Sequence, residues 1–275
     1  MGIISLLLIL VNVIVSYQGF KNSTFYNKYK FRVDAVLLYK DYKRMVTSGF
    51  LHVNWMHLIF NMLALYFFSG SLELYLGPVK FLLIYFLSLI GGDLLSLFIH
   101  RNDGDYDSVG ASAGVTGVMF ASIALFPGMH IGLLFLPISI PGWLFGLIYV
   151  LYSIYGIRSR KNNIGHDAHL GGALVGLLIA IIIQPSALIN NTWAIVIIML
   201  PSVFFIYMII TRPHILLIDN YFFRKHSDAI TVDHKYNIER ANKQQEIDRI
   251  LEKIHRKGMH SLTSKEKQML EEYSR

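Results

Sequence analysis

Seven times along this chain an apolar run reaches or approaches the roughly 20 residues that a helix needs to cross a hydrocarbon core. The runs lie at about 3–15, 54–72, 79–99, 111–127, 142–156, 166–184 and 193–210. Lipid offers the backbone no hydrogen-bond partners, so each run must close its own bonds as a helix. With 54% hydrophobic and 16% charged residues among 275, too little polar surface remains for a soluble domain. These features predict an all-α membrane protein, a polytopic helical bundle with a six-span core and a seventh span at 193–210. That last run holds Pro201 and stops at Arg212-Pro213. The chain is apolar almost from Met1, without a basic n-region or a small-residue cleavage site, so the first run reads as a retained span. Cysteine is absent, which excludes disulfides, thiolate catalysis and cysteine metal sites. The net charge of +7 sits in loops and tail, which suits a lipid surface rather than nucleic acid.

Residues 17–53 are rich in Tyr, Phe, Lys and Arg, and Val36-Leu37-Leu38-Tyr39 is too apolar for a free linker. This segment is expected to lie in the membrane interface, held by aromatic and basic anchors. From about 214 the composition turns soluble, dividing the chain into a membrane domain, 1–211, and a tail, 212–275. In the tail, Ile247, Ile250, Leu251 and Ile254 recur at helical spacing over 243–257, with Gly258 as C-cap. Thr263-Ser264-Lys265-Glu266 then reads as a capping box, opening a second helix with Met269, Leu270 and Tyr273 on one face. A small helical hairpin over about 243–273, without chemistry of its own, is the expectation.

Parity brings distant polar groups together. The runs at 54–72, 111–127 and 166–184 must point the same way, because one returning span separates each pair. The first opens with His52, His57 and Asn61, the second with Ser112, and the third with His166-Asp167-Ala168-His169. His57 and Asn61, four apart, share one helix face, and both can donate hydrogen bonds. Ser112 lies in Gly110-Ala111-Ser112-Ala113-Gly114-Val115-Thr116-Gly117, where a helix amino terminus directs unpaired N–H groups toward it. Taken singly, each group has a plainer reading: small residues at helix contacts are packing devices, and His57 or Asn61 can be interhelical glue. Together they supply a nucleophile, a base and oxyanion donors, the inventory of acyl transfer. Gly171, Gly172 and Gly176 face Gly110, Gly114 and Gly117 across this set, letting two helices approach until Ser112 and His169 are within reach.

Several pieces carry a resemblance: Arg44-Met45-Val46-Thr47-Ser48-Gly49-Phe50-Leu51-His52, then His57-x-x-x-Asn61, and Glu73 with Leu76-Gly77. Gly110-Ala111-Ser112 and Ala168-His169-Leu170-Gly171-Gly172 complete them. Over roughly residues 40–180 the chain resembles the rhomboids, a family of intramembrane serine proteases. The resemblance implies Ser112 as nucleophile and His169 as general base, a dyad with no required acid. It implies an oxyanion site from the Ser112 N–H with the side chains of His57 and Asn61. It further implies transmembrane proteins as substrates, cut in or next to their spans, with no cofactor or metal, in the inner membrane of a bacterium. The chain departs from the family at Ala113, where Gly is usual after the serine. It departs again at Thr116, where many members carry an aromatic that supports the histidine. Asp167, two residues from His169, points elsewhere on a helix than a triad acid would, and Asp93 has no evident partner in the sequence.

Three rival readings stand beside this one. A catalytically inactive rhomboid-like protein that binds membrane clients need not keep all four site residues. A zinc protease built on His166, Asp167 and His169 lacks H-E-x-x-H, and its spacing suits one helix face poorly. A transporter predicts paired broken helices and an internal repeat, and neither is present. Orientation is contested by charge. The site face holds Lys21, Lys28, Lys30, Arg32, Lys40, Lys43, Arg44, Arg101, Arg158, Arg160 and Lys161, and the other face only Lys80. The positive-inside rule places the first set in the cytoplasm, whereas bacterial rhomboids open outward.

Overall fold

The computed structural model describes residues 2–126, 128–132, 139–159, 164–212 and 232–274. Of the positions singled out in the sequence, Met1, Pro127, Arg160, Lys161 and Pro213 lie outside them. The long helices are α1 (Ile3–Lys21), α5 (Trp55–Leu76), α6 (Pro78–His100), α7 (Ser112–Leu125), α8 (Gly142–Ser159), α9 (His166–Ile183) and α11 (Thr192–Thr211). Five of them, α1, α5, α6, α9 and α11, are long and apolar enough to cross a membrane. The protein is a polytopic helical membrane protein whose environment is the lipid bilayer.

Helix α7 is the centre. It has 14 residues and every one from Ala113 to Ala124 is buried. A helix wrapped by protein on all sides has no lipid to span, so it tolerates a length short of the bilayer. Helices α6 and α9 pack along it through glycine. A Cβ at Gly172 would lie 2.2 Å from the Ala113 carbonyl oxygen, and one at Gly176 would lie 2.3 Å from the Gly117 carbonyl oxygen. One at Gly92 of α6 would lie 2.6 Å from the Ala113 Cβ and 2.5 Å from the Ala168 carbonyl oxygen. No side chain fits at these positions. The three backbones therefore meet directly, as small-residue faces allow in lipid.

The first helix runs to Lys21, six residues beyond the span expected from apolarity alone. Its extension is aromatic. The Phe20 ring sits 5.0 Å from Trp55 at the start of α5, and the Lys21 ammonium lies over Tyr17. At the opposite end, Glu73 of α5 accepts the Ile4 and Ser5 N–H groups at 2.9 and 2.8 Å and the Ser5 hydroxyl. This carboxylate occupies the positive end of the α1 dipole. The segment 17–53, read from sequence as one interfacial loop, forms short helices α2 (Ser23–Tyr29), α3 (Val33–Leu37) and α4 (Arg44–Thr47). Strand β1 (Phe31–Arg32) pairs with β2 (Asp107–Ser108). Phe31, Val33 and Val36 form a small core with Met45, so this loop is packed protein and not merely anchored at the interface. A second pair, β3 (His130–Gly132) and β4 (Ser139–Pro141), precedes α8.

After the short α10 (Ser186–Asn190) and α11, the tail forms α12 (Val232–Lys257) and α13 (Ser264–Ser274). Helix α12 starts eleven residues earlier than the apolar spacing indicated. Gly258 ends it with φ +77°, and Thr263 and Glu266 exchange the two bonds of a capping box at 2.7 and 3.3 Å. Lys253 closes the hairpin onto Glu266 at 2.8 Å. The start of α12 touches the site-side loop, with Asn237 donating to Asp34 at 2.9 Å and Tyr39 donating to the Asn237 carbonyl at 3.2 Å.

The glycine contacts make a direct prediction. Gly172→Ala lowers the midpoint of thermal unfolding in detergent, at a cost of about 1–3 kcal/mol from overpacking. Gly132→Ala, where a Cβ meets nothing within 4 Å, leaves it unchanged. Equal midpoints for the two variants would show that the backbones are not in contact.

Candidate active site

Ser112 is the first residue of α7, and the first helical bond runs from the Val115 N–H to the Ala111 carbonyl at 2.9 Å. The N–H groups of Ser112, Ala113 and Gly114 consequently have no intrahelical acceptor. The two preceding N–H groups are already taken. That of Gly110 donates to the Ser48 carbonyl at 3.1 Å and that of Ala111 to His52 Nε2 at 3.4 Å. The loop is thus pinned up to Ser112 itself.

His52 can accept there because of a proton chain that begins in α1. The Ser16 hydroxyl donates its one proton to the Phe50 carbonyl at 2.9 Å, so at 2.8 Å from His52 Nδ1 it can only accept. The ring proton therefore sits on Nδ1, and Nε2 is left bare for Ala111. Sequence reasoning placed His52 near the site but missed Ser16, which lay beyond the expected end of the first span.

His57 stands edge-on to His52 with ring centroids 5.0 Å apart. Its backbone N–H is capped by Asn54 at 2.9 Å, which fixes the first turn of α5. Gly110 has φ +138°, and a Cβ there would lie 3.0 Å from His57 Nε2 and 3.6 Å from Ser112 Oγ. Glycine is needed here twice, for its backbone angle and to let the His57 ring lean over the loop beside Ser112. Asn61 lies one turn further on. Its amide donates one proton to the His57 carbonyl at 2.9 Å, and the second proton of the NH2 group is chemically able to serve another acceptor.

His169 lies in the first turn of α9, half-buried like Ser112 and His57. Its neighbour Ala168 packs with Ala113, the neighbour of Ser112. Its ring centroid is 6.1 Å from that of Tyr149 of α8 and tilted by 33°. The Tyr149 hydroxyl lies 3.2 Å from Thr116 Oγ1, which itself donates to the Ser112 carbonyl at 2.6 Å. An aromatic therefore flanks His169 even though position 116 is threonine, and it comes from α8. Tyr149 was missed in the sequence because nothing in its apolar run sets it apart.

The other expected polar residues turn away from Ser112. Asp93 approaches Ser48 Oγ at 3.3 Å. Asp167 accepts from Ser96 Oγ at 2.7 Å and pairs with His100 at 3.0 Å, both on α6. It does not contact His169 as a triad acid would, in keeping with its place on the helix. Nor do His166, Asp167 and His169 converge, and the described residues contain no cluster of three metal-ligating side chains. In the loop between α6 and α7, burial first, with the nearby Asp167 and Asp93 carboxylates, pushes the Tyr106 phenol up.

If the Ser16–His52–Ala111 chain holds the loop, a double-mutant cycle reads it. His52→Ala strands the Ala111 N–H and costs about 1–3 kcal/mol, and Ser16→Ala costs about 1 kcal/mol. The pair is expected to cost less than the sum. Strict additivity would show that the two side chains act separately.

Comparison with known proteins follows the same residues. The Rhomboid domain family matches residues 39–186, and a second family, of unknown function, matches residues 230–275. The chain is 34% identical over 157 residues to Rhomboid protein 1, mitochondrial, of Saccharomyces cerevisiae, covering 54% of this chain and 45% of that one. It is 31% identical over 199 residues to the Rhomboid protease AarA of Providencia stuartii, covering 64% and 70%. It is also 28% identical over 144 residues to Inactive rhomboid protein 1 of Drosophila melanogaster, covering 52% and 10%. The chain thus spans less than half of the yeast relative and most of the Providencia one. With the family matched across the helices that carry Ser112, His57, Asn61 and His169, the chain belongs to the rhomboid family.

Proposed function

We propose that this protein is an intramembrane serine protease that cleaves peptide bonds in or next to transmembrane segments of membrane proteins. The observation that carries the reading is the contact between α7 and α9. It brings the residues flanking Ser112 and His169 together, with His57 leaning over Gly110 beside the serine. In this reading His169 takes the proton from Ser112 Oγ as the oxygen attacks the scissile carbonyl. The developing oxyanion accepts bonds from the Ser112 N–H, His57 and the second amide proton of Asn61. His169 then returns the proton to the leaving amine, and water releases the acyl group by the reverse steps. Residues 1–211 form the protease domain and 212–275 an appended module, in the inner membrane of a bacterium.

The rival is an inactive client-binding protein, which the similarity to an inactive relative keeps in play. A serine-directed fluorophosphonate separates the two. The protease reading expects covalent labelling that is lost in Ser112→Ala and strongly reduced in His169→Ala, with both variants folded. Cleavage of a reconstituted transmembrane substrate disappears with the label, and chelators leave it unchanged. Retained cleavage in Ser112→Ala would overturn the reading.

Asn61→Ala is expected to lower turnover by roughly 10²–10³-fold with little change in substrate binding, because the charge it meets develops only in the transition state. An unchanged rate would leave Asn61 as helix glue. The small residues around Ser112 also favour a small side chain on the acyl side of the cut. Substrates carrying Ala, Leu or Phe there are expected to be cleaved in that order, and equal rates would exclude selection by size. In this reading the site face lies outside, as it does in bacterial rhomboids. In this cysteine-free chain, a cysteine at the exposed Tyr42 should react with an impermeant maleimide added to intact cells. Reaction only after lysis would favour the charge rule.

A further inference from the structure

We propose that Asp167 is a positioning residue that locks the rotation of α9 and so aims His169 at Ser112, an inference that rests on the dyad reading above. A carboxylate that is 4% exposed in a bilayer-spanning helix is costly and persists only with good partners. Asp167 has three. The Ser96 hydroxyl donates to it at 2.7 Å, His100 Nε2 pairs with it at 3.0 Å, and the Ala168 N–H bonds it from within α9. Ser96 and His100 are four apart on one face of α6. The His100 ring is in turn stacked on Tyr106, with centroids 3.6 Å apart and planes within 5°. The clamp therefore reaches from α9 through α6 into the loop that leads to Ser112.

Its place along α9 matters. The N-cap Gly165 supplies no side chain, so Asp167 is the one acidic group in the first turn, where the helix dipole favours it. One turn further on, Gly171 meets the Gly91 carbonyl and the Gly92 Cα, each 2.9 Å from where its Cβ would be. Helix α9 thus touches α6 through a polar clamp at 167 and a glycine contact at 171, with His169 between them in sequence. Two contacts on one face fix the height and the rotation of a helix. His169 lies about 200° around the axis from Asp167, on the side that meets Tyr149. Loosening the clamp lets the imidazole swing, and misplacement by about 1 Å costs on the order of 10²-fold in rate.

The test compares three variants by steady-state kinetics, normalised to sites titrated with fluorophosphonate. Asp167→Ala is expected to lower kcat about 10²-fold while KM changes less than about threefold. Asp167→Asn keeps an oxygen that can accept from both Ser96 and His100 Nε2, which meet the same carboxylate oxygen, so it rescues kcat to within about threefold of the parent. Ser96→Ala, which deletes a single bond, is expected to lower kcat about tenfold and serves if Asp167→Ala does not fold. A loss of about 10⁴-fold in Asp167→Asn, as when a catalytic imidazole loses its tautomer-setting carboxylate, would overturn the proposal. So would parental kcat in both Asp167→Ala and Ser96→Ala. A second readout needs no substrate. The rate of fluorophosphonate labelling at Ser112 is expected to fall about tenfold in Asp167→Ala. Equal rates overturn the clamp, whereas no labelling of the parent overturns the dyad itself.

Discussion

Everything at the site depends on how closely α9 can approach α7. The approach is set by atoms that are missing: no Cβ at Gly172 or Gly176 stands between the helix and the Ala113 and Gly117 carbonyls. In lipid such contacts have no hydrophobic drive, and their strength comes from dispersion between closely fitted backbones. The same contact serves chemistry, since Ala113 follows the proposed nucleophile and Ala168 precedes the proposed base. A chain that packed these helices through leucine would hold them apart by the width of two side chains, and no dyad could form.

Around this apolar seam the polar groups divide the labour of holding helices in register. At one end of the bundle Glu73 caps α1. At the other, Ser16 and His52 join the end of α1 to the loop before α7. At the Glu73 end, Asn191 also donates to the Ala124 carbonyl at 2.8 Å. Each bond satisfies a group that lipid would leave bare, and each links elements far apart in sequence. The site-face loops are joined differently, by strand pairing and by ion pairs such as Arg32–Asp105 at 2.7 Å and Arg44–Asp41 at 2.8 Å. Those bonds work where water is present.

How much of this could be read beforehand follows from what each feature depends on. Parity needs only span count, so it was legible that the starts of α5, α7 and α9 share one end of the bundle. Glycine spacing announced the α7–α9 contact for the same reason, because small residues at helical period have few other uses in an apolar run. The boundary at Lys21 was not legible, because Tyr17 to Lys21 extend α1 through contacts with Trp55, a residue 34 or more positions away. The pairing of Phe31 with Ser108 is likewise non-local, between two-residue strands too short to show any alternation. Tyr149 gave no signal because its role depends on which side of α8 meets His169. The pairing of Asp167 with Ser96 and His100 required knowing which faces of α6 and α9 meet.

The length of α7 connects the fold to the chemistry it is proposed to perform. Fourteen residues make a helix of about 21 Å, against a hydrocarbon core of about 30 Å. The deficit has to appear at the ends, and at the amino end it is filled by the loop from Arg101 to Ala111, which strand pairing and the His52 bond draw down onto the bundle. Ser112 begins its helix behind that loop, beside His52 and His57. Hydrolysis needs water at Ser112, and Ser112, His57 and His169 are each partly exposed. A substrate helix reaching Ser112 keeps its carbonyls in its own hydrogen bonds until it unwinds. Segments with Gly, Pro or polar residues near the membrane surface give up those bonds most readily. Selection would then act on how easily a span unfolds before it acts on which side chain follows.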